Sequence, residues 1–196
     1  MIRNFSAKAA VLGAVLVAFS GVQQARADFW DELARAFNPG PSGRHTTSII
    51  APYAPGTILV SFGDRRLYFI TGKGKAISYP IAIPKPEARW AGVSFVSQKQ
   101  VNPGWTPTPQ MRRENPKLPA SVPGGHPRNP MGVRALYLGS TLYRIHGTDA
   151  PWLIGESVSK GCVRMYNNDV IDLYDRARVG AKVVITWQKF RTSSSI

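Results

Sequence analysis

The sequence predicts a mostly antiparallel β domain with one packed helix, and three observations carry that prediction. Short runs of β-branched and aromatic residues recur from Thr57 onward, each closed by Gly, Asp or Pro turn residues. A single later segment, around residues 168–180, carries the apolar spacing of a helix. The chain has 196 residues, enough to bury one core without the disulfide that its single cysteine cannot form internally.

The start reads as a segment outside that fold. Residues 1–27, "MIRNFSAKAAVLGAVLVAFSGVQQARA", place Arg3 and Lys8 before a short apolar run and end in a small-x-small triplet. This is the pattern of a secretory signal peptide cleaved after Ala27, with an uncleaved membrane anchor as the alternative. Removal takes three basic and no acidic residues, so the formal charge falls from +14 to +11. So basic a chain favours an anionic surface or polymer as partner. Export makes nucleic acid an unsuitable one and leaves membrane headgroups or a wall polymer.

Residues 28–55 form an amphipathic segment and a linker. "DFWDELARAF" at 28–37 gathers Phe29, Trp30, Leu33 and Phe37 on one helical face. The stretch that follows is rich in Pro, Gly and Ser and lacks periodicity. The domain proper is expected over 56–190. Strands are predicted at 57–62, 66–70, 76–83 and 93–97, then a hairpin of 134–138 and 142–146 around Gly139-Ser140, and a last strand at 182–187. The helix takes Asn168 or Asp169 as N-cap, buries Val170, Leu173, Tyr174 and Ala177, and stops at Gly180. Residues 98–130 contain eight prolines and are too long for a plain connector, so they are expected to form a lid or binding loop. Residues 191–196 read as a disordered tail.

The lone thiol lies in "SKGCVRM" at 159–165. To act as a nucleophile it needs a base or a positive local field. His146 ends a predicted strand 16 residues upstream, and the segment between holds three glycines and a proline that let it fold back. Gly161 lets the chain turn so that the N–H groups of Gly161 and Cys162 converge on an oxyanion. If the stretch is extended, Arg164 shares a face with Cys162, where it lowers the thiol pKa or binds a substrate carboxylate; Lys160 can act from the other side. The competing readings are a buried structural cysteine, a hydrogen-bonding histidine and a surface arginine. His126, in "GGHPRNP", is a rival base. One Cys and three scattered His (His45, His126, His146) show no ligand spacing, so neither a metal nor another cofactor is expected.

"HGT" at 146–148 followed by "SKGCVRM" resembles the signature of the L,D-transpeptidase catalytic domain family. "NPMGVRALYL" at 129–138, the opening strands at 56–83 and "NNDVIDLYDRARVGAKVVI" at 167–185 are similar to the family as well. The resemblance implies an antiparallel/mixed β-sandwich with its helix after the catalytic cysteine, and a periplasmic enzyme that needs no cofactor and acts on peptidoglycan tetrapeptide stems. Cys162 would attack the carbonyl of the meso-diaminopimelate residue and expel D-alanine. His146 would move the proton, with its ring oriented by the Gly147 carbonyl. Gly161 and Cys162 would form the oxyanion hole; Ser159, Lys160 and Arg164 would support site or substrate. The acyl acceptor would be a stem amine, giving a 3→3 cross-link, or an outer-membrane protein or lipoprotein. Hydrolysis by an L,D-carboxypeptidase or endopeptidase and an inactive wall-binding module are the alternatives. Two departures stand out: Lys160 where many members carry histidine, and "RWAGV" at 89–93, which keeps only Gly92 of a Thr-Pro-x-Gly stretch.

Overall fold

The computed structural model describes residues 43–194. The proposed signal segment and the 28–37 helix lie outside these residues. The described chain is mostly β, with strands β1 (His45–Ile49), β2 (Ile58–Ser61), β3 (Arg66–Gly72), β4 (Lys75–Pro80), β5 (Ile83–Pro84), β6 (Gly92–Val101), β7 (Arg134–Leu138), β8 (Arg144–His146), β9 (Ser157–Ser159), β10 (Val163–Arg164), β11 (Lys182–Thr186) and β12 (Thr192–Ser194). Its two α-helices are α1 (Pro109–Glu114) and α2 (Asn167–Arg176).

Ten strands form one sheet in the order β10-β8-β7-β6-β11-β2-β3-β4-β1-β12, while β5 and β9 pair separately. Most neighbours are antiparallel; β10 with β8, β11 with β2, and β5 with β9 run parallel. The ten-residue strand β6 joins the two halves. Its first part pairs with β11 and its second with β7, with a register shift between Val96 and Gln98. A bulge of this kind bends a strand and sharpens its twist, which lets the sheet curl.

Curling buries one face of both halves. Ile58, Val60, Leu67, Phe69, Leu136, Leu138 and Ile145 meet Val163, Met165, Val170 and Leu173 in the main core. The outer face of β2, β3 and β11 is buried too. Leu59, Tyr68, Ile70 and Val184 form a second cluster under Ala51, Tyr53 and Phe190. Being covered on both sides is why β2 reads as a continuous apolar run rather than an alternation.

Several boundaries differ from the sequence expectation. The stretch expected to be a linker contributes β1, which pairs with β4 and β12; β12 in turn occupies the supposed disordered tail. Both are short strands rich in Thr and Ser, β12 at the sheet edge and β1 next to it, and they pair across a long stretch of sequence, so no apolar run announces them. The run expected at 76–83 divides: β4 ends at Pro80, and Ile83 leaves to pair with Ser157. β6 continues to Val101, so the candidate lid starts after it rather than at Gln98. α2 begins two or three residues earlier than expected, with Tyr166 at its N-cap and no side-chain cap, so Asn168 and Asp169 lie inside the helix, and it ends before Ala177 rather than at Gly180. Asn167, the first helical residue, turns its amide to Thr148. Its Oδ1 accepts from Thr148 N and its Nδ2 donates to Thr148 O, both at 3.0 Å.

Candidate active site

The β8–β10 edge brings the residues of interest together. Parallel pairing sets Arg164 opposite His146 and Val163 opposite Ile145. Alternation then places Arg144, His146, Cys162 and Arg164 on one side of this edge. Arg144, His146, Cys162 and Arg164 all line a cavity of about 270 Å³. Ser159 and Lys160 line it as well, and Gly104, Trp105, Thr106, Thr108 and Met111 enclose it from the proline-rich segment. His126 is exposed and outside that lining, where its Nδ1 accepts from Arg128 N at 3.1 Å.

His146 is buried, and its Nδ1 donates to Gly147 O at 2.7 Å. A carbonyl can only accept, so Nδ1 carries the proton of the neutral ring and Nε2 keeps a lone pair. Burial is the main cause that lowers the His146 pKa from its ordinary 6.5 to about 3; the Arg164 and Arg144 charges add to it, and the Gly147 and Met131 carbonyls oppose it. Asn167 holds the segment after His146 in place through Thr148. An added Cβ on Gly147 would meet Asn167 Oδ1 at 2.2 Å and one on Gly132 would meet the same atom at 2.4 Å, so only glycine fits at either position.

The Cys162 loop is shaped by its neighbours. Gly161 has φ +132°, and a Cβ there would lie 2.6 Å from Tyr143 Cε1. Tyr143 in turn stacks on Trp90, with ring centroids 4.8 Å apart. Ser159 is buried; its hydroxyl donates to Cys162 O and accepts from Gly161 N at 3.4 Å, closing the turn. Cys162 Sγ donates to Leu142 O at 3.7 Å. Burial raises the thiol pKa, while Arg144 and then Arg164 pull it down. The resting pair is therefore a neutral thiol and a neutral imidazole.

Arg164 is held by its backbone to Ala82, and its buried Nε has no hydrogen-bond partner. Lys160 forms an ion pair with Glu114 of α1, which ties the cysteine loop to the segment over the cavity. Sequence reasoning missed Arg144, although it sits two residues before His146 and period-2 alternation puts it on the same face. It also missed Trp90, which occupies the departing "RWAGV" stretch and buttresses Tyr143. Among the described residues there is no group of three or more His, Cys, Asp or Glu side chains arranged to hold a metal ion.

Residues 55–185, well over half of the chain, match the family described as L,D-transpeptidase catalytic domain, YkuD. The chain belongs to this family. It is 44% identical over 135 residues to the probable L,D-transpeptidase ErfK/SrfK of Escherichia coli K12, covering 65% of this chain and 43% of that protein. It is 41% identical over 135 residues to the probable L,D-transpeptidase YbiS of the same strain, covering 64% and 43%. The chain thus spans less than half the length of these curated relatives. Among solved structures it is similar to the Ldtfm–avibactam carbamoyl enzyme, with TM-score 0.55, 17% identity, and coverage of 70% of this chain and 51% of that one. The catalytic domain of an Enterococcus faecium L,D-transpeptidase gives TM-score 0.53 at 18% identity, covering 69% of this chain and all of that one. At such identities these two likenesses bear on the L,D-transpeptidase fold alone.

Proposed function

We propose that the protein is an exported L,D-transpeptidase that makes a Cys162 thioester from a peptidoglycan tetrapeptide stem and passes the acyl group to an amine. The observation that carries the reading is that His146, at the end of β8, and Cys162, in the turn just before the parallel neighbour β10, line one cavity. The thiol rotates from Leu142 O toward the lone pair on His146 Nε2. As the proton moves to that nitrogen, sulfur attacks the carbonyl of the meso-diaminopimelate residue. Charge that develops on the carbonyl oxygen is met by the N–H groups of Cys162 and Gly161, the latter exchanging its long contact with Ser159 Oγ. Collapse breaks the C–N bond, and the D-alanine amine leaves with the proton that His146 holds. His146 then deprotonates the acceptor amine, which attacks the thioester and releases the thiol.

The Gly147 carbonyl keeps the imidazole in the tautomer this sequence needs. Arg164 bears on the thiolate and the substrate. The segment over the cavity limits water, which favours an amine acceptor over hydrolysis. The acceptor is a stem amine or an outer-membrane protein or lipoprotein, and the periplasm is the proposed location on the strength of residues 1–27. The test is incubation of the purified protein with disaccharide-tetrapeptide, with products read by mass spectrometry. A cross-linked dimer lacking one D-alanine is expected. Tripeptide alone would replace transfer with carboxypeptidase activity, and no product would remove the enzyme reading.

A further inference from the structure

Arg144 lies near the Cys162 sulfur and has no ion-pair partner among the described residues. Its Nη1 donates to Leu142 O at 2.8 Å, and Cys162 Sγ donates to the same oxygen at 3.7 Å. Guanidinium and thiol therefore flank one carbonyl. The guanidinium also lies over the Tyr137 ring, 5.0 Å from its centroid, while the Tyr137 hydroxyl is engaged with Gln100 Oε1 at 2.7 Å. The guanidinium thus packs on the aromatic ring. Ion pairs among the described residues join Arg44 and Arg176 to Asp172, Arg65 to Glu156, and Lys160 to Glu114; none involves Arg144. A guanidinium offers five donors in a planar fork, and this one lines the cavity.

We propose that Arg144 is the receptor for the free carboxylate of the residue expelled when Cys162 is acylated, so that the site reads an unblocked C-terminus. The inference rests on the acyl-transfer reading above. In such a donor the terminal carboxylate lies three bonds beyond the attacked carbon, within about 4 Å of it by ordinary bond lengths. A sulfur poised for that carbon and a cation placed around the same Leu142 carbonyl suit this short span. A planar fork meets a carboxylate with two parallel hydrogen bonds, which an ammonium cannot copy. The carboxylate itself is chemically unchanged: it leaves on the alanine whose nitrogen has taken the proton from His146.

The test compares a tetrapeptide stem ending in D-alanine with the same stem ending in D-alaninamide, using wild type, Arg144→Gln and Arg144→Lys. kcat and KM are measured by release of alanine or alaninamide. Alkylation of Cys162 by iodoacetamide reports that each variant still forms the site. The wild type is expected to prefer the acid by about 10- to 100-fold in kcat/KM, the size of a lost charge-assisted contact. Arg144→Gln should bring the ratio close to one, and Arg144→Lys should leave it between the two. A thiolate-stabilising role alone would lower the rate on both substrates and leave the ratio intact, which would overturn the proposal. So would a wild type indifferent to amidation. Turnover of neither substrate by wild type would refute the acyl-transfer reading, and this inference with it.

Discussion

Burial governs the ionisation of His146 and Cys162, and it acts in opposite directions on them. Burial pushes the His146 pKa down to about 3 and the Cys162 thiol up, so each stays uncharged at neutral pH. Between about 3 and 6.5 the unfolded chain takes up a proton that the folded chain refuses at His146. Stability due to this group is therefore complete above 6.5 and falls as pH drops through that window. Wild type is expected to lose more melting temperature than His146→Gln between about pH 7 and about pH 4. Equal losses would mean that the ring is not held neutral. Gly161 makes a second residue-level test. Alanine there adds about 1–3 kcal/mol of backbone strain and drives a methyl group into Tyr143. Gly161→Ala should lower kcat/KM by more than about tenfold, read by donor turnover, while Gly72→Ala, whose added Cβ meets nothing within 4 Å and whose φ lies outside the left-handed region, should stay near wild type in turnover. Equal turnover in Gly161→Ala and wild type would show that the turn geometry is not needed. At this scale His146, Gly161 and Cys162 were legible because their residue types and spacing announce chemistry. Arg144 and Trp90 were not, since an arginine or tryptophan alone in a strand has no spacing to read.

The element that closes the cavity is held from beneath by one buried side chain. Asn129 Nδ2 donates to Pro103 O at 2.8 Å and to Pro123 O at 3.0 Å, and its Oδ1 accepts from Met131 N at 2.9 Å. Trp105 and Val122 pair above it through two backbone hydrogen bonds of 2.9 and 2.8 Å. The segment is thus a braced loop with a short helix, α1, capped by Thr108 Oγ1, which accepts from Met111 N at 3.2 Å. The exposed Lys160–Glu114 ion pair adds little to stability but joins this loop to the cysteine turn. Asn129→Ala leaves buried backbone groups unpaired at a cost of about 1–3 kcal/mol each. Trypsin is expected to cut Asn129→Ala after Arg112, Arg113 or Lys117 at least about tenfold faster than wild type, as local opening becomes easier. Equal cleavage rates would show that Asn129 does not brace the loop. The sequence marked this loop by its prolines but not α1, because a helix of six residues has too few turns to show a period.

Across the described residues, the curled sheet places the candidate site at one edge and the pairing of β1 with β12 at the other. β10, with the cysteine turn before it, ends the sheet on one side, and β1 with β12 ends it on the other. The central strands β2, β3 and β11 were legible because burial demands β-branched and aromatic residues there. The parallel pairing of β8 with β10 was not, since it depends on how β6 bends between the two half-sheets. That pairing brings His146 and Cys162 to the lining of one cavity, where the proposed reaction would leave a covalent acyl-enzyme. The most direct measurement incubates the protein with disaccharide-tetrapeptide in the absence of an added acceptor, quenches in acid, and reads the tryptic peptide Gly161–Arg164 by mass spectrometry. The proposed mechanism predicts an adduct on Cys162 equal to the donor less alanine, absent from Cys162→Ala. Alanine release by Cys162→Ala at the wild-type rate, or turnover by wild type with no adduct at Cys162, would contradict it.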